Sequence, residues 1–130
     1  MPTVYTEGRH PGEGLLSELP GTQSREVVVI AAGSGVIAPG SVLGVYTSGD
    51  DDTKYSLSPN AAADPDVGNQ VAVAIALYGC DATGVDQEIT AIVRGAEWNG
   101  NTLTYDASVD NDAKKAAKAT QLAAAGIIVR

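Results

Sequence analysis

REVVVIAAGSGVIAPGSVLGVY, Arg25 to Tyr46, decides how this chain is read. Val27 to Ala32 is a continuous apolar run rich in β-branched residues, too short for a helix and suited to a strand covered on both faces. Gly33-Ser34-Gly35 breaks the run. Ala38-Pro39-Gly40-Ser41 then has the composition of a type II turn, with proline at the second position and glycine supplying positive φ at the third. Val42 to Tyr46 resumes a strand. Two strands and two turns packed into one stretch mark the start of a folded body.

Downstream, the pattern continues as further strands. Lys54 to Leu57 alternates, so with Val42 to Tyr46 it predicts a hairpin whose tip is Ser48 to Thr53. Ser58 to Asn69 reads as a loop. Val71, Val73, Ile75 and Leu77 alternate with Ala72, Ala74 and Ala76, giving a strand with one bulky and one methyl-sized face. The bulky face should meet the core, and the small one admits a second sheet or a neighbouring subunit. Gly79 to Gly84 reads as a turn cluster, and Ile89 to Val93 as a strand. Asn99-Gly100 has the composition of a type I′ hairpin turn leading to Leu103 and Tyr105. Trp98, beside that turn, is expected to cover one end of a core.

One helix is predicted over Asn111 to Ala125, where Ala, Lys, Gln and Leu dominate. Asp110 is the candidate N-cap, Asp112 complements the helix dipole, and Gly126 stops the helix. Ala113, Ala116, Ala117, Thr120, Ala123 and Ala124 recur on one side. Ile127 to Val129 closes the chain as a short docked strand. The fold class is therefore mostly β, of short strands and tight turns, with one Ala-rich C-terminal helix.

Upstream, residues 1–24 contain Pro2, Pro11 and Pro20 and four glycines. Such a segment cannot form a long helix. It reads either as an unstructured leader or as a flexible arm that orders on a partner by strand addition. The apolar pairs Val4-Tyr5 and Leu15-Leu16 favour the arm and are its candidate contact residues. The expected organisation is an arm over 1–24 and a single β-rich domain over 25–130.

The chain has 130 residues, no Phe, one Trp and a formal charge of −8. One domain is expected, with a thin core of Ala and Val that would gain from oligomerisation or docking. The acidity argues against a nucleic-acid partner, whose phosphates demand basic residues. Lys114, Lys115, Lys118 and Arg130 are the only charges after Asp112, which suggests a helix with a solvated lysine face, or acidic-to-basic contacts between subunits. No basic region followed by an apolar one opens the chain, and no run approaches membrane-spanning length. The expectation is a protein kept in the cytoplasm or assembled from there, with no membrane partner.

Little points to catalysis. His10, the one histidine, lies in the predicted arm, where a nucleophilic triad would need a mobile base. Cys80 has no second cysteine to pair with and no ligand at metal spacing. Asp50, Asp51 and Asp52 are consecutive, so their carboxylates diverge instead of converging on calcium, and a solvated hairpin tip is the better reading. Gly33-Ser34-Gly35 is not followed by a helix that could hold a phosphate. No catalytic, cofactor or metal residues are expected.

Six segments in order nevertheless carry a resemblance: SREVVVIAAG (Ser24 to Gly33), PGSVLG (Pro39 to Gly44), AVAI (Ala72 to Ile75), CDATG (Cys80 to Gly84), AIVRGAEW (Ala91 to Trp98) and the Ala-rich helix ending in GIIVR (Gly126 to Arg130). Together they resemble the lambda-type phage head decoration protein family. The resemblance implies a β-clip-like fold and a non-enzymatic homotrimer. Such a trimer sits on the outside of the expanded head at three-fold sites, cementing the major capsid protein against the pressure of packaged DNA. It also implies an N-terminal arm that orders on the capsid, hence the interest of Val4, Tyr5, Leu15 and Leu16. The alternatives are a small trimeric β-fold enzyme or ligand-binding module with sites between subunits, and a generic virion or tail component.

Overall fold

The structure, a computed structural model, describes residues 3, 5–20 and 23–130. It is mostly β with one C-terminal helix, and its main sheet closes on itself, which fits the β-clip-like expectation. The closed sheet has the order β2-β5-β4-β6-β8, formed by β2 (Arg25–Ile30), β4 (Val42–Val45), β5 (Tyr55–Leu57), β6 (Ala72–Ala76) and β8 (Gln87–Ile92). β2 and β8 pair antiparallel from Arg25↔Ile92 to Ile30↔Gln87, which seals the barrel. Between β2 and β4, Ser41 N donates to Ala38 O at 3.2 Å and Gly40 has φ 83°, so the expected turn forms.

Two cores share the walls of this barrel. Its interior holds Val28, Ile30, Leu43, Ala74, Ala76 and Ala91, with Tyr55 and Leu57 partly buried against them. Alanine here lets facing strands approach closely, so a barrel without Phe can still fill. The opposite side of the same strands carries Val42, Ile75, Leu77 and Ile92 to a second core around Trp98, which is 1% exposed. In β6 Ile75, and Leu77 just after it, meet the second core as expected of the bulky face, and Ala74 and Ala76 line the barrel's interior. The alternation breaks at the other end: Ala72 joins the second core and Val73 packs on the barrel side, because the β4–β6 register shifts between Leu43 and Gly44.

The second core is roofed by a three-stranded sheet, β1-β9-β10, and by the helix. β9 (Ala96–Trp98) is central, with β1 (Leu15–Glu18) antiparallel on one side and β10 (Ile127–Val129) parallel on the other. The Asn-Gly expectation fails here. Asn99 has φ −72°, whereas a type I′ turn needs positive φ, and both edges of β9 are already paired. Gly100–Thr102 instead forms a 3-10 helix, with the Asn99 side chain accepting from Asn101 N. A second correction concerns Gly79 to Gly84, which contains a strand, β7 (Cys80–Ala82), antiparallel to β3 (Gly35–Ile37).

The helix, α1 (Asp112–Ala124), and its cap each begin one residue later than expected. Asn111 supplies the N-cap oxygen to Lys114 N at 2.9 Å, while Asp110 pairs with the Lys114 ammonium at 2.8 Å. The face turned inward carries Lys118 and Leu122, both buried. Ala113, Ala116, Ala117, Thr120, Ala123 and Ala124 are exposed, so the alanine side is the outer one. No helix among the described residues is long and apolar enough to cross a membrane.

Candidate functional site

The candidate contact residues occupy the segment that leads into β1. Val4 lies outside the described residues. Tyr5 is 89% exposed and Leu16 is 54% exposed, a large apolar display for so short a stretch. Leu15 differs: it packs against the second core and sits opposite Trp98 in the β1–β9 register. Alternation along a strand explains the split, since neighbouring residues point to opposite faces. The structure thus leaves Tyr5 and Leu16 outward and turns Leu15 inward.

This segment is stitched to the body at intervals. Arg9 donates to Asn101 O at 3.3 Å and pairs with Glu13 at 3.1 Å. Gly12 N donates to Leu77 O at 3.2 Å, Asn99 N to Gly14 O at 2.7 Å, and Leu19 N to Gly95 O at 2.8 Å. Beyond β1 the chain turns back through a clasp. Glu18 accepts from Ser24 Oγ at 2.5 Å, from Arg25 Nη2 at 2.6 Å and from Arg25 Nε at 3.1 Å. The Arg25 guanidinium, then the Ser24 hydroxyl, hold the Glu18 carboxyl below its ordinary value of 4.5, and Glu18 raises Arg25 in return. Ser24 itself is completely buried.

Charge is distributed unevenly between inside and outside partners. The basic side chains are engaged within the chain: Arg9 with Glu13, Arg25 with Glu18, Lys54 with Asp86 and Asp51, Arg94 with Glu26, Lys114 with Asp110, and Arg130 with Glu97. Lys115 lies over the Tyr105 ring at 5.5 Å, and Lys118 is buried among neutral acceptors. The solvated lysine face expected of the helix is thus broken at Lys118, because loop carbonyls reach it there. Asp50, Asp52, Asp64, Asp66, Glu88 and Asp112 form no ion pair among the described residues. The charge left over for a partner is therefore acidic.

His10, Cys80 and the Asp50 to Asp52 tip, the titratable side chains weighed for chemistry in the sequence, stand apart from one another among the described residues. His10 bonds Glu7 at 2.7 Å on the open surface, well exposed. Burial, then nearby Asp81, pushes the Cys80 thiol up, away from a reactive thiolate. The hairpin tip of Asp50 to Asp52 is cross-linked by the protein's own cation: Lys54 Nζ lies 2.8 Å from Asp86 and 3.4 Å from Asp51. Among the described residues no group of three or more His, Cys, Asp or Glu side chains is placed to hold a metal ion. A concavity of about 540 Å³ lined by Val45, Thr47, Asp66, Gly68, Gln70, Val71 and Val73 is open to solvent.

A family model described as HDPD, bacteriophage lambda head decoration protein D, matches residues 4–127, nearly the whole chain. A search of curated proteins returns no match.

Proposed function

This chain belongs to the bacteriophage lambda head decoration protein D family, and from that premise we propose how it works on the phage head. Membership gives a capsid decoration role, a place in the virion and a structural rather than catalytic task. The finer reading is that the protein binds the outer surface of the expanded head as a homotrimer at three-fold sites. There it stabilises the major capsid protein lattice against packaged DNA. Host cytoplasm is the compartment from which it assembles.

The observation that carries this reading is the exposed apolar display of the N-terminal segment, Tyr5 and Leu16, beside which Val27, Val36 and Val85 on the body are also exposed. Residues 1–24 are the gripping segment in this reading, with Val4, Tyr5 and Leu16 as its contacts and Leu15 as its anchor to the body. Three such segments on one trimer convert weak single contacts into a firm hold. The unpaired acids favour a basic or neutral docking surface and oppose binding to DNA.

The test is to mix purified protein with expanded and unexpanded heads of its phage and count bound copies. The expected result is saturation of expanded heads in groups of three, with unexpanded heads bare. Equal occupancy of both head forms, or single copies at each site, would overturn the reading.

A further inference from the structure

Residues 58–71, between β5 and β6, contain no helix or strand, and Asn60 to Asp66 are all exposed. Structureless connections of this length are uncommon in compact domains, and those whose ends meet form Ω-loops. Here the ends meet on one atom. Lys118 Nζ donates to Pro59 O and to Gln70 O, both at 2.6 Å, and to Ser58 Oγ at 2.8 Å. Three N–H donors thus find three near acceptors, two of them backbone carbonyls from opposite limbs of the loop. Gln121 Oε1 stands further off at 3.4 Å and accepts from Ala72 N at 2.8 Å, tying the start of β6 to the same helix.

The side chain that does this is 1% exposed and has no carboxylate in ion-pair range among the described residues. Burying an ammonium is costly, and an apolar residue of similar length could pack at such a site. The site therefore makes sense as a fastening for the neck and not as packing. On the C-terminal limb the Asn69 amide donates from Nδ2 to Ser56 Oγ at 2.8 Å, while Asn69 Oδ1 and Gln70 Oε1 have no protein partner among the described residues.

We propose that residues 59–70 form a unit that opens and closes at its neck independently of the barrel, with Lys118 as the latch. Asn69 Nδ2 to Ser56 Oγ and Thr47 N to Val67 O, both at 2.8 Å, also hold the C-terminal limb, but only the Lys118 bonds are charge-assisted and span both limbs, so they set the cost of opening the neck. The inference rests on the fold and not on the capsid reading.

The experiment is residue-resolved hydrogen exchange on the full chain and on two variants. Lys118→Met keeps length and apolar volume but removes the donors. Ser58→Ala removes one acceptor and leaves the ammonium with its two carbonyls. The hydrogen-bonded amides at the two limbs, Asn60 and Ala72, should exchange about tenfold faster in the first and a few-fold faster in the second, as loss of charge-assisted bonds implies. Barrel amides such as those of Ile30, Ala74 and Ala91 should keep their wild-type rates. The proposal is overturned if loop amides are unchanged, or if loop and barrel accelerate together, which would make Lys118 an ordinary contributor to global stability. Should Lys118→Met fail to fold, Ser58→Ala decides between the same two results.

Discussion

The barrel and the sheet that roofs it are built on opposite plans. The barrel closes on itself through the long β2–β8 ladder and fills with alanine and branched aliphatic side chains. The β1-β9-β10 sheet is gathered from the beginning, the middle and the end of the chain, and it depends on one large residue, Trp98. Two consequences follow from this difference. The barrel tolerates no added volume, whereas the roof tolerates no loss of it. And the segment that displays Tyr5 and Leu16 belongs to the roof, the less self-sufficient layer.

The severest test of the first half of that contrast is Gly44→Ala. A methyl at Gly44 would collide with the backbone of Asn69 and Val71, where the chain enters β6. β4 and that entry would have to separate, and a loss of about 3 kcal/mol or more is expected, read as failure to fold or a large fall in Tm. Near-normal melting would mean the barrel wall yields more than its packing suggests. Trp98→Ala tests the second half. Emptying the space under the roof should cost about 3–5 kcal/mol. Hydrogen exchange should rise first in β1 and β10, with the barrel strands protected longest. Uniform loss of protection would erase the distinction between the layers.

A smaller effect probes the clasp that returns the chain from roof to barrel. The folded Glu18 pKa lies below its ordinary 4.5, so the clasp contributes above that value and is lost as pH falls through the folded one. Glu18→Gln should therefore melt below wild type at neutral pH, by about 1 kcal/mol or less because Arg25 stays partly solvated. The gap should close on acidification from about pH 6 to about pH 3. A gap that ignores pH would assign the loss to packing. Smallest and opposite in sign is Thr53→Gly at the barrel's hairpin tip. Thr53 sits at φ 72°, a region that β-branched residues avoid, and glycine should raise stability by about 0.5–1 kcal/mol. An unchanged or lower Tm would show that other contacts of Thr53 outweigh its backbone strain.

The same contrast explains what could be read from sequence. The barrel strands announce themselves by local rules: the β-branched run of β2, the alternation of β6 and the Pro-Gly turn before β4. The helix and the closing strand β10 were equally plain from composition. The roof was harder, because pairing there is non-local. Leu15 to Glu18 sits among prolines and glycines and becomes a strand because β9 offers it an edge. β3 and β7 hide in glycine-rich stretches for the same reason, each defined by the other. Asn99-Gly100 misled because turn composition cannot report that both edges of β9 are occupied. Lys118 misled because a lysine on a helix normally faces water, and only the loop carbonyls, 48 and 59 residues away, explain its burial. Of the contact candidates, Tyr5 and Leu16 are outward as a docking role requires, and alternation along β1 would have singled out Leu15 as the inward one.

The central claim, that the N-terminal segment of the roof grips the head, is tested most directly by Tyr5→Ser combined with Leu16→Ser. Both side chains are exposed, so folding and Tm should stay within about 0.5 kcal/mol of wild type, as surface substitutions do. Affinity for expanded heads should fall about tenfold or more, the usual effect of removing large apolar anchors from an interface. Undiminished binding by the folded double variant would contradict the account.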